Sequence, residues 1–315
     1  MVTRLYTHPA CLAHDMGPGH PESPARLTSI LAALKTPDFA ALEWAEAPPA
    51  ELEQIMRAHP PAFIEGVLAA VPASGRVALD ADTILSPGSG EAALRAAGAV
   101  TAAVDAVARG QIANAFCAVR PPGHHAEAST AMGFCIFNNV AIGAYQARVV
   151  HGLARIAVVD FDVHHGNGTQ AIFARDPALF YASTHQMPLY PGTGYAQETG
   201  VGNICNVPLP PEAGSVEFRA VMTDRVLPAL DAFRPDFLLI SAGFDAHKAD
   251  PLANLRFEEA DYAWATDRLL AVAAQHCQGR VVSALEGGYD LTALAASSAA
   301  HVRRLMAATK GVSLS

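Results

Sequence analysis

The stretch Ile156-Ala157-Val158-Val159-Asp160-Phe161-Asp162-Val163-His164-His165-Gly166-Asn167-Gly168 joins an apolar run to a cluster of acidic and imidazole side chains. The apolar run predicts a buried parallel strand, and open α/β sheets bind their ligands at the carboxyl ends of such strands. Carboxylates and imidazoles buried together are costly unless a cation compensates them, and a divalent metal is the simplest such cation. Asp162 and His164 are two residues apart, so in an extended segment they point to the same side and suit one ion.

The rest of the chain supports an α/β fold around this strand. Runs with strand character recur at 4–8, 42–47, 115–119, 155–161, 180–184, 204–209, 237–242 and 280–285. Helical patterns lie between most of them, at 25–35, 61–71, 90–109, 138–151, 215–233 and 258–276. This alternation predicts a mostly parallel sheet with helices on both faces. No internal repeat or low-complexity linker divides the chain, so we expect one domain over residues 1–315.

Polar residues collect directly after five of the predicted strands. The segments concerned are 120–127, 160–167, 183–185, 243–245 and 286–290. Because parallel strands end at the same edge of a sheet, these five loops can meet in one crevice.

Three residues of these loops are candidate metal ligands: Asp162, His164 and Asp245. Three protein ligands and one open position form the arrangement of a catalytic zinc site, where the ion lowers the pKa of water to about 7 and polarises a carbonyl. The alternative is that Asp162 and His164 only cap a short helix near 166–170. The tandem histidines and the second strand-end aspartate favour the metal site.

The adjacent pair His124 and His125 is a candidate for acid–base chemistry. Each ring needs a partner on its other nitrogen, and Asp160 and Asn167 are available for that purpose. An aspartate partner favours the imidazolium, whereas an asparagine partner leaves the ring closer to neutral and able to accept a proton. Alone, the pair would be read as surface histidines without a role.

Three aromatic residues are weaker candidates. Tyr289, in the glycine turn 285–290, could donate its hydroxyl to an oxyanion or could be only a core aromatic. Phe134 and Tyr190 lie on two further loops and could form an apolar slot for an alkyl chain, although single aromatic residues more often belong to the core.

Composition excludes several classes of partner. The net charge of −9 comes without a basic stripe, so nucleic acid is not an expected ligand. Five unpatterned cysteines suit a reducing compartment and argue against a thiolate metal site. The chain shows neither a signal peptide at its start nor a membrane-spanning apolar run, so we expect a cytoplasmic protein with no membrane partner.

Six motifs, in this order, resemble the zinc-dependent histone deacetylases: RPPGHHA, DFDVHHGNG, STHQ, YPGTG, SAGFDAH and LEGGYD. Their form is most similar to the class II and bacterial deacetylase-like branch, with acetylpolyamine amidohydrolases as relatives. The resemblance runs from about residue 8 to residue 289. It implies the arginase/deacetylase fold, with an eight-stranded parallel sheet, and a metal-dependent hydrolase acting on linear amides.

The resemblance also implies a role for each matching position. Asp162, His164 and Asp245 match the zinc ligands, and His125 matches the general base and acid. Asp160 matches the partner of His124, and Asn167 matches the partner of His125 in its class II form. Tyr289 matches the transition-state tyrosine. Positions that match the acyl-lysine tunnel are Gly133, Phe134, Tyr190, where Phe is common, and Leu252 at the rim. Those that match an inner potassium site are Asp160, Asp162, His164, Ser183 and Thr184.

The expected substrate is therefore an N-ε-acyl-lysine in a peptide or protein, or a small acylated amine. Acetylpolyamine hydrolysis stays as an alternative, although Leu252 stands where polyamine-selective relatives carry Glu. An arginase-like site with two manganese ions is disfavoured, because Gly166 stands where a bridging aspartate would be needed. A non-catalytic acyl-lysine binder is a further alternative. The acyl group, the choice between zinc and iron(II), and the oligomeric state stay open.

Overall fold

Eight parallel strands form the central sheet of the computed structural model, which describes residues 1–309. Their order across the sheet is β2-β1-β5-β10-β9-β6-β7-β8, and every neighbouring pair is parallel. The strands are β1 Thr3–Thr7, β2 Glu43–Glu46, β5 Asn114–Cys117, β6 Ile156–Asp160, β7 Leu179–Gln186, β8 Ile204–Leu209, β9 Phe237–Ala242 and β10 Val281–Leu285. The predicted parallel α/β fold is confirmed; the predicted single domain extends to residue 315, and 310–315 lie outside the described residues.

The sequence of each strand reflects its place in the sheet. β6, β9 and β10 are buried at every residue and are largely apolar, since a central parallel strand is covered on both faces. The edge strand β2, Glu43-Trp44-Ala45-Glu46, is largely exposed and carries acidic residues at both ends. A separate antiparallel pair, β3 Val77–Ala78 and β4 Ile84–Leu85, was not predicted, because two-residue strands carry no periodic signal.

Two groups of helices flank the sheet. In one, α5 packs on β1, β5 and β10, α6 packs on β6 and β9, and the two helices contact each other. In the other, α11 packs between α2 and α10. The bounds are α1 Ala10–Ala13, α2 Pro24–Leu34, α3 Leu52–Ile55, α4 Pro61–Ala70, α5 Ser89–Ala108, α6 Asn139–His151, α7 Asn167–Phe173, α8 Ser215–Val221, α9 Leu227–Phe233, α10 Glu259–His276 and α11 Leu291–Ala308. Within residues 1–309, no helix combines the length and the hydropathy needed to cross a bilayer.

The predicted helix at 215–233 is interrupted. A π-helical turn, Met222–Val226, separates α8 from α9. Pro228, two residues after the end of this turn, has no backbone N–H to donate to the preceding turn, which accounts for the break in the α-helical hydrogen bonding.

The order of the strands places five loops side by side. β5, β10, β9, β6 and β7 are consecutive neighbours, and their carboxyl ends lie at one edge of the sheet. The segments that follow these five strands are those in which the sequence concentrates its polar residues, so the topology brings the predicted crevice together.

Candidate active site

Asp162, His164 and Asp245 form a compact cluster beyond the ends of β6 and β9. One ligand atom from each residue lies within 4.8 Å of the others, and all three residues are buried. Nδ1 of His164 is 3.2 Å from Oδ1 of Asp162 and 3.2 Å from Oδ2 of Asp245. Two carboxylates and one imidazole at this spacing fit a divalent transition ion with an open coordination position. The structure therefore brings the three predicted zinc ligands together.

Backbone groups orient the two carboxylates of this cluster. The N–H of Gly287 donates to Oδ2 of Asp162 at 2.7 Å, and the N–H of Val163 donates to Oδ1 of Asp245 at 2.8 Å. Two glycines that lie against these carboxylates have no room for a side chain. A Cβ on Gly243 would lie 2.0 Å from Oδ2 of Asp162, and one on Gly287 would lie 2.0 Å from Oδ2 of Asp245. The glycines thus let two loops close tightly on the carboxylates.

His124 is paired with a carboxylate at the end of β6. Its Nδ1 lies 2.9 Å from Oδ2 of Asp160, and the same oxygen accepts from the hydroxyl of Tyr181 at 3.0 Å. Burial lowers the pKa of His124, but the charges of Asp162 and Asp160 outweigh burial and raise the pKa well above 6.5. His124 is therefore an imidazolium at neutral pH.

His125 has an uncharged partner instead. Its Nδ1 lies 2.8 Å from Oδ1 of Asn167, the first residue of α7. Burial lowers the pKa of His125 well below 6.5, and the positive charge of His124 lowers it further. A neutral His125 with Nδ1 engaged presents Nε2 as the nitrogen that can take up a proton.

The loop that carries both histidines is held by a buried carboxylate that sequence reasoning missed. Glu286 accepts from the N–H of Gly123 at 2.7 Å, from the N–H of His124 at 3.1 Å and from Oγ of Ser241 at 3.2 Å. Burial raises the pKa of Glu286 to about 7. A charged residue directly after a buried strand was the signal that could have identified it.

The loop that carries Tyr289 is held by hydrogen bonds to two side chains, Asp250 and Arg26. Asp250 accepts from the N–H of Tyr289 at 2.7 Å and from the N–H of Leu252 at 3.0 Å, which ties the tyrosine loop to the rim. The guanidinium of Arg26 lies 4.9 Å from the centre of the tyrosine ring, and its Nε donates to the carbonyl of Gly288 at 2.6 Å. Burial raises the pKa of Tyr289 well above 10, so its hydroxyl stays protonated and can donate. Asp250 and Arg26 were also missed, because neither is close in sequence to Tyr289.

A cavity of about 220 Å³ opens onto these groups. It is lined by Asp82, Pro122, His124, His125, Gly133, Phe134, His164, Leu189, Tyr190, Leu252, Gly287 and Tyr289. The structure thus brings the four predicted tunnel residues into the same cavity as Tyr289 and both histidines. Tyr190 faces His125 edge-on, with ring centres 5.2 Å apart, and Phe134 faces Tyr289 edge-on at 6.0 Å.

Gly133 and Phe134 adopt an unusual backbone to make this wall. Both have positive φ, 57° and 68°, a region that a phenylalanine rarely occupies. A Cβ on Gly133 would lie 2.5 Å from the His125 ring, so only glycine fits there. The N–H of Phe134 donates to Oγ1 of Thr83 at 3.1 Å, which helps to hold the strained residue in place.

Of the five residues predicted for potassium, Asp162 and His164 belong to the metal cluster, and the other three lie on the neighbouring strands β6 and β7. Asp160 of β6 and Ser183 of β7 are register partners, and Thr184 follows Ser183 on the same strand. Oγ of Ser183 is 2.8 Å from Nδ1 of His185. Oγ1 of Thr184 is buried and has no hydrogen-bond partner among residues 1–309.

Comparisons with known proteins point in one direction. Residues 20–305 match the family model described as histone deacetylase domain. The chain is 40% identical over 327 aligned positions to histone deacetylase 14, chloroplastic, of Arabidopsis thaliana, with 96% of this chain and 76% of that protein covered. It is 38% identical over 312 positions to the histone deacetylase-like amidohydrolase of Pseudomonas aeruginosa, with 91% and 82% covered. The crystal structure of the HDA15 HD domain superposes with a TM-score of 0.92 at 34% identity, covering 98% of this chain and 89% of that one.

Proposed function

Because the chain belongs to the histone deacetylase family, we propose that it hydrolyses the amide of N-ε-acyl-lysine side chains in peptides or proteins. Family membership supports an amidohydrolase of the deacetylase type. The observation that carries the finer proposal is that one cavity is lined by His125, His164 and Tyr289, with carboxylate oxygens of Asp162 and Asp245 each 3.2 Å from Nδ1 of His164. A proton acceptor, a cluster of metal ligands and a hydroxyl donor can then act on one bound carbonyl.

We propose zinc as the ion that Asp162, His164 and Asp245 hold. Two carboxylates and one imidazole, buried beside the further acids Asp160 and Glu286, need a positive charge near them. When bound, zinc lowers the pKa of water and polarises a carbonyl. Iron(II) accepts the same ligands, so the metal must be identified by measurement.

The protein's own groups account for the proton transfers. His125, neutral at pH 7, takes a proton at Nε2 from the attacking water and returns it to the leaving lysine amine. His124 stays charged beside Asp160, and its positive charge favours the negative charge that develops on the acyl oxygen. The hydroxyl of Tyr289 donates to that oxygen. Phe134 and Tyr190 flank the alkyl part of the substrate and exclude water.

One residue of the cavity favours an acyl-lysine peptide over an acetylated polyamine as the substrate. Leu252 lines the cavity and is half-buried, so it offers apolar contact where a carboxylate would attract a second ammonium group. Asp82, also at the cavity, is the feature that would favour a polyamine, because its carboxylate can attract a cation. Acetylpolyamine hydrolysis is therefore the second candidate.

We further propose a structural potassium ion near Asp160, Ser183 and Thr184, with contributions from Asp162 and His164. The observation behind this proposal is the buried Oγ1 of Thr184, which lacks a partner within residues 1–309. Unfolding in potassium chloride and in tetramethylammonium chloride at equal ionic strength tests it. We expect a higher Tm in potassium chloride, and equal Tm values would contradict the proposal.

A panel of acyl-lysine peptides tests the main proposal. The zinc-loaded chain is offered acetyl-, propionyl-, lactyl- and longer acyl-lysine peptides, with acetylputrescine and acetylspermidine as parallel substrates, each with and without a chelator. We expect chelator-sensitive release of the carboxylic acid, with a deacylated lysine residue left in at least one peptide, at a higher kcat/KM than for either acetylated polyamine. Hydrolysis of the acetylated polyamines alone would instead support the second candidate function, acetylpolyamine hydrolysis. Binding of acyl-lysine peptides without hydrolysis would reject both enzymes in favour of a binding protein.

A further inference from the structure

The side-chain amide of Asn167 lies between the proposed general base and a carboxylate. Its Oδ1 is 2.8 Å from Nδ1 of His125, and its Nδ2 donates to Oε1 of Glu127 at 2.9 Å. We propose that Glu127 is a positioning residue that fixes the orientation of the Asn167 amide and, through it, the Nδ1–H tautomer of His125. This inference deepens the proposed deacylase function and rests on it for its kinetic consequences.

The chemistry of the partners decides which way the amide faces. An asparagine side chain has a donating NH₂ and an accepting oxygen, which can exchange places by a half-turn. The carboxylate of Glu127 can only accept, and Sδ of Met132, 3.4 Å from Nδ2, is also an acceptor. Both partners therefore draw the NH₂ group to their side and turn Oδ1 toward His125.

This orientation sets the tautomer of the general base. Oδ1 of Asn167 can only accept, so Nδ1 of His125 must carry the hydrogen. In the neutral ring, Nε2 is then unprotonated and able to take a proton from water. A reversed amide would offer its NH₂ to Nδ1 and favour the opposite tautomer, with Nε2 already protonated and unable to act as a base.

The surrounding backbone is held without the Glu127 side chain. The N–H of Thr169 donates to the carbonyl of His124 at 3.2 Å, which joins the first turn of α7 to the histidine loop. A Cβ on Gly168 would lie 2.2 Å from the carbonyl oxygen of Ala126, so the helix and the loop are in direct contact. The N–H of Glu127 itself donates to the carbonyl of Thr130 at 3.0 Å. Removing the carboxylate thus frees the amide to turn while leaving the chain in place.

Within residues 1–309, the Glu127 carboxylate forms no ion pair, and its hydrogen bond is the one that it accepts from Asn167. The side chain is half-buried, so its charge is only partly screened by water. A half-buried carboxylate that accepts a hydrogen bond from the amide beside the general base is placed to act on that amide.

The pairing makes a specific prediction about substitution at position 167. Asn167→Asp places a second carboxylate against Glu127, and like charges at this distance repel or force one of them to take a proton. Asn167→Asp/Glu127→Gln removes the repulsion, because a glutamine can turn its NH₂ toward the new aspartate. The second substitution should then repair the first, although each alone reduces activity.

Kinetics of the zinc-loaded full chain on an acetyl-lysine peptide test this pairing. We expect Glu127→Gln to lower kcat about threefold, since glutamine keeps an accepting oxygen, and Asn167→Asp to lower it about 100-fold. The double variant should be at least tenfold faster than Asn167→Asp, with KM nearly constant throughout. Glu43→Gln, which removes a carboxylate at the far edge strand, is the control and should leave kcat unchanged. If Glu127 only stabilises the turn, the losses multiply; a double variant no faster than Asn167→Asp overturns the proposal.

A measurement that needs no turnover separates this proposal from the proposed function. Imidazole ¹⁵N–¹H correlation spectra of zinc-loaded protein, with the His125 signals assigned by their loss in His125→Gln, report the tautomer directly. We expect the Nδ1–H form of His125 in the native chain and a mixture of both forms in Glu127→Ala. An unchanged tautomer in Glu127→Ala overturns the positioning role even if the chain hydrolyses acyl-lysine. The expected spectra without any hydrolysis would support the positioning role and reject the function.

Discussion

The imidazole rings of His124 and His125 lie with their centres 4.0 Å apart, yet their Nδ1 atoms bond to a carboxylate in one case and to an amide oxygen in the other. Burial lowers the pKa of both rings. For His124 the charges of Asp162 and Asp160 reverse this effect, whereas for His125 the positive charge of His124 adds to it. Two adjacent histidines thus hold different protonation states at pH 7, one a cation and the other a base.

This asymmetry predicts the acidic limb of the pH–rate profile. His125 must be neutral to accept a proton, so kcat/KM falls as pH drops through its pKa. Because burial and the positive charge of His124 lower that pKa, the limb should lie below pH 6.5. Stopped assays of kcat/KM across pH 5 to 8 check it, and a midpoint above 7 would contradict the assignment of His125 as the neutral partner.

Asp160→Asn should change that profile in a defined direction. Losing the carboxylate lowers the pKa of His124, so His124 carries its positive charge over a narrower pH range and depresses the pKa of His125 less. We expect the acidic limb to move upward and kcat to fall about tenfold, as for the loss of one charged hydrogen bond. Asp231→Asn, which removes the carboxylate 2.7 Å from the ring of the surface His276, is the matched control and should leave the profile unchanged.

Tyr289→Phe should lower kcat by about 10²–10³, the usual effect of removing one oxyanion donor, with little change in KM. Tyr190→Phe removes a hydroxyl from the wall of the same cavity and should change kcat by less than about threefold, because Phe preserves the apolar contact with the substrate. Steady-state kinetics on one acetyl-lysine peptide compare the two variants. Equal losses in both would remove Tyr289 from the oxyanion role.

Asp250→Asn should lower kcat, although Asp250 is not one of the residues that line the cavity. The carboxylate accepts from the N–H groups of Leu252 and Tyr289 with different oxygens, and an asparagine would turn an NH₂ group toward one of them. We expect kcat to fall about tenfold, as when one buried donor loses its acceptor. Asp290→Asn is the control, because asparagine keeps the helix cap that Asp290 provides to the N–H of Ala293. We expect a lower kcat for Asp250→Asn than for Asp290→Asn, and equal kcat values would contradict this prediction.

Buried neutral histidines predict a loss of stability in mild acid. Burial lowers the pKa of His59 to about 4, of His185 to about 4 and of His301 to about 3. Between these values and 6.5 the unfolded chain binds more protons than the folded one, so the free energy of unfolding falls as pH drops. The slope approaches about 1.4 kcal/mol per pH unit for each histidine.

Urea unfolding at several pH values between 5 and 7.5 measures this slope. His301→Gln should reduce the slope by up to about 1.4 kcal/mol per pH unit, because glutamine does not titrate in this range. Glutamine can keep polar contacts to Ser283 and Thr266, so the variant should still fold. A slope identical to that of the native chain would show that His301 does not titrate on unfolding.

Much of the fold was readable from the sequence, for a physical reason. Strands buried on both faces, such as Val281–Leu285, are largely apolar, so they stand out between polar loops. The two-residue strands Val77–Ala78 and Ile84–Leu85 and the π-helical turn Met222–Val226 were missed, because so few residues give no period to detect.

The candidate site was readable only in part. The strand-end position of Asp162 and His164 follows from pattern, whereas the assignment of particular partners to His124 and His125 came from resemblance to a family. Asp250 and Glu127 were missed because they act on residues 39 and 40 positions away, Tyr289 and Asn167. Such pairs depend on how the loops fold over one another, which no local pattern encodes.

The zinc content of purified chain, measured together with hydrolysis of an acetyl-lysine peptide on the same samples, tests the central claim most directly. We expect about one zinc per chain in active protein, loss of both metal and activity on chelation, and recovery of both when zinc is returned. Asp245→Ala should lose both, and the surface control Asp231→Asn should keep both. Metal-free chain that hydrolyses the peptide as fast as loaded chain, or Asp245→Ala that retains full zinc and full activity, would contradict the account.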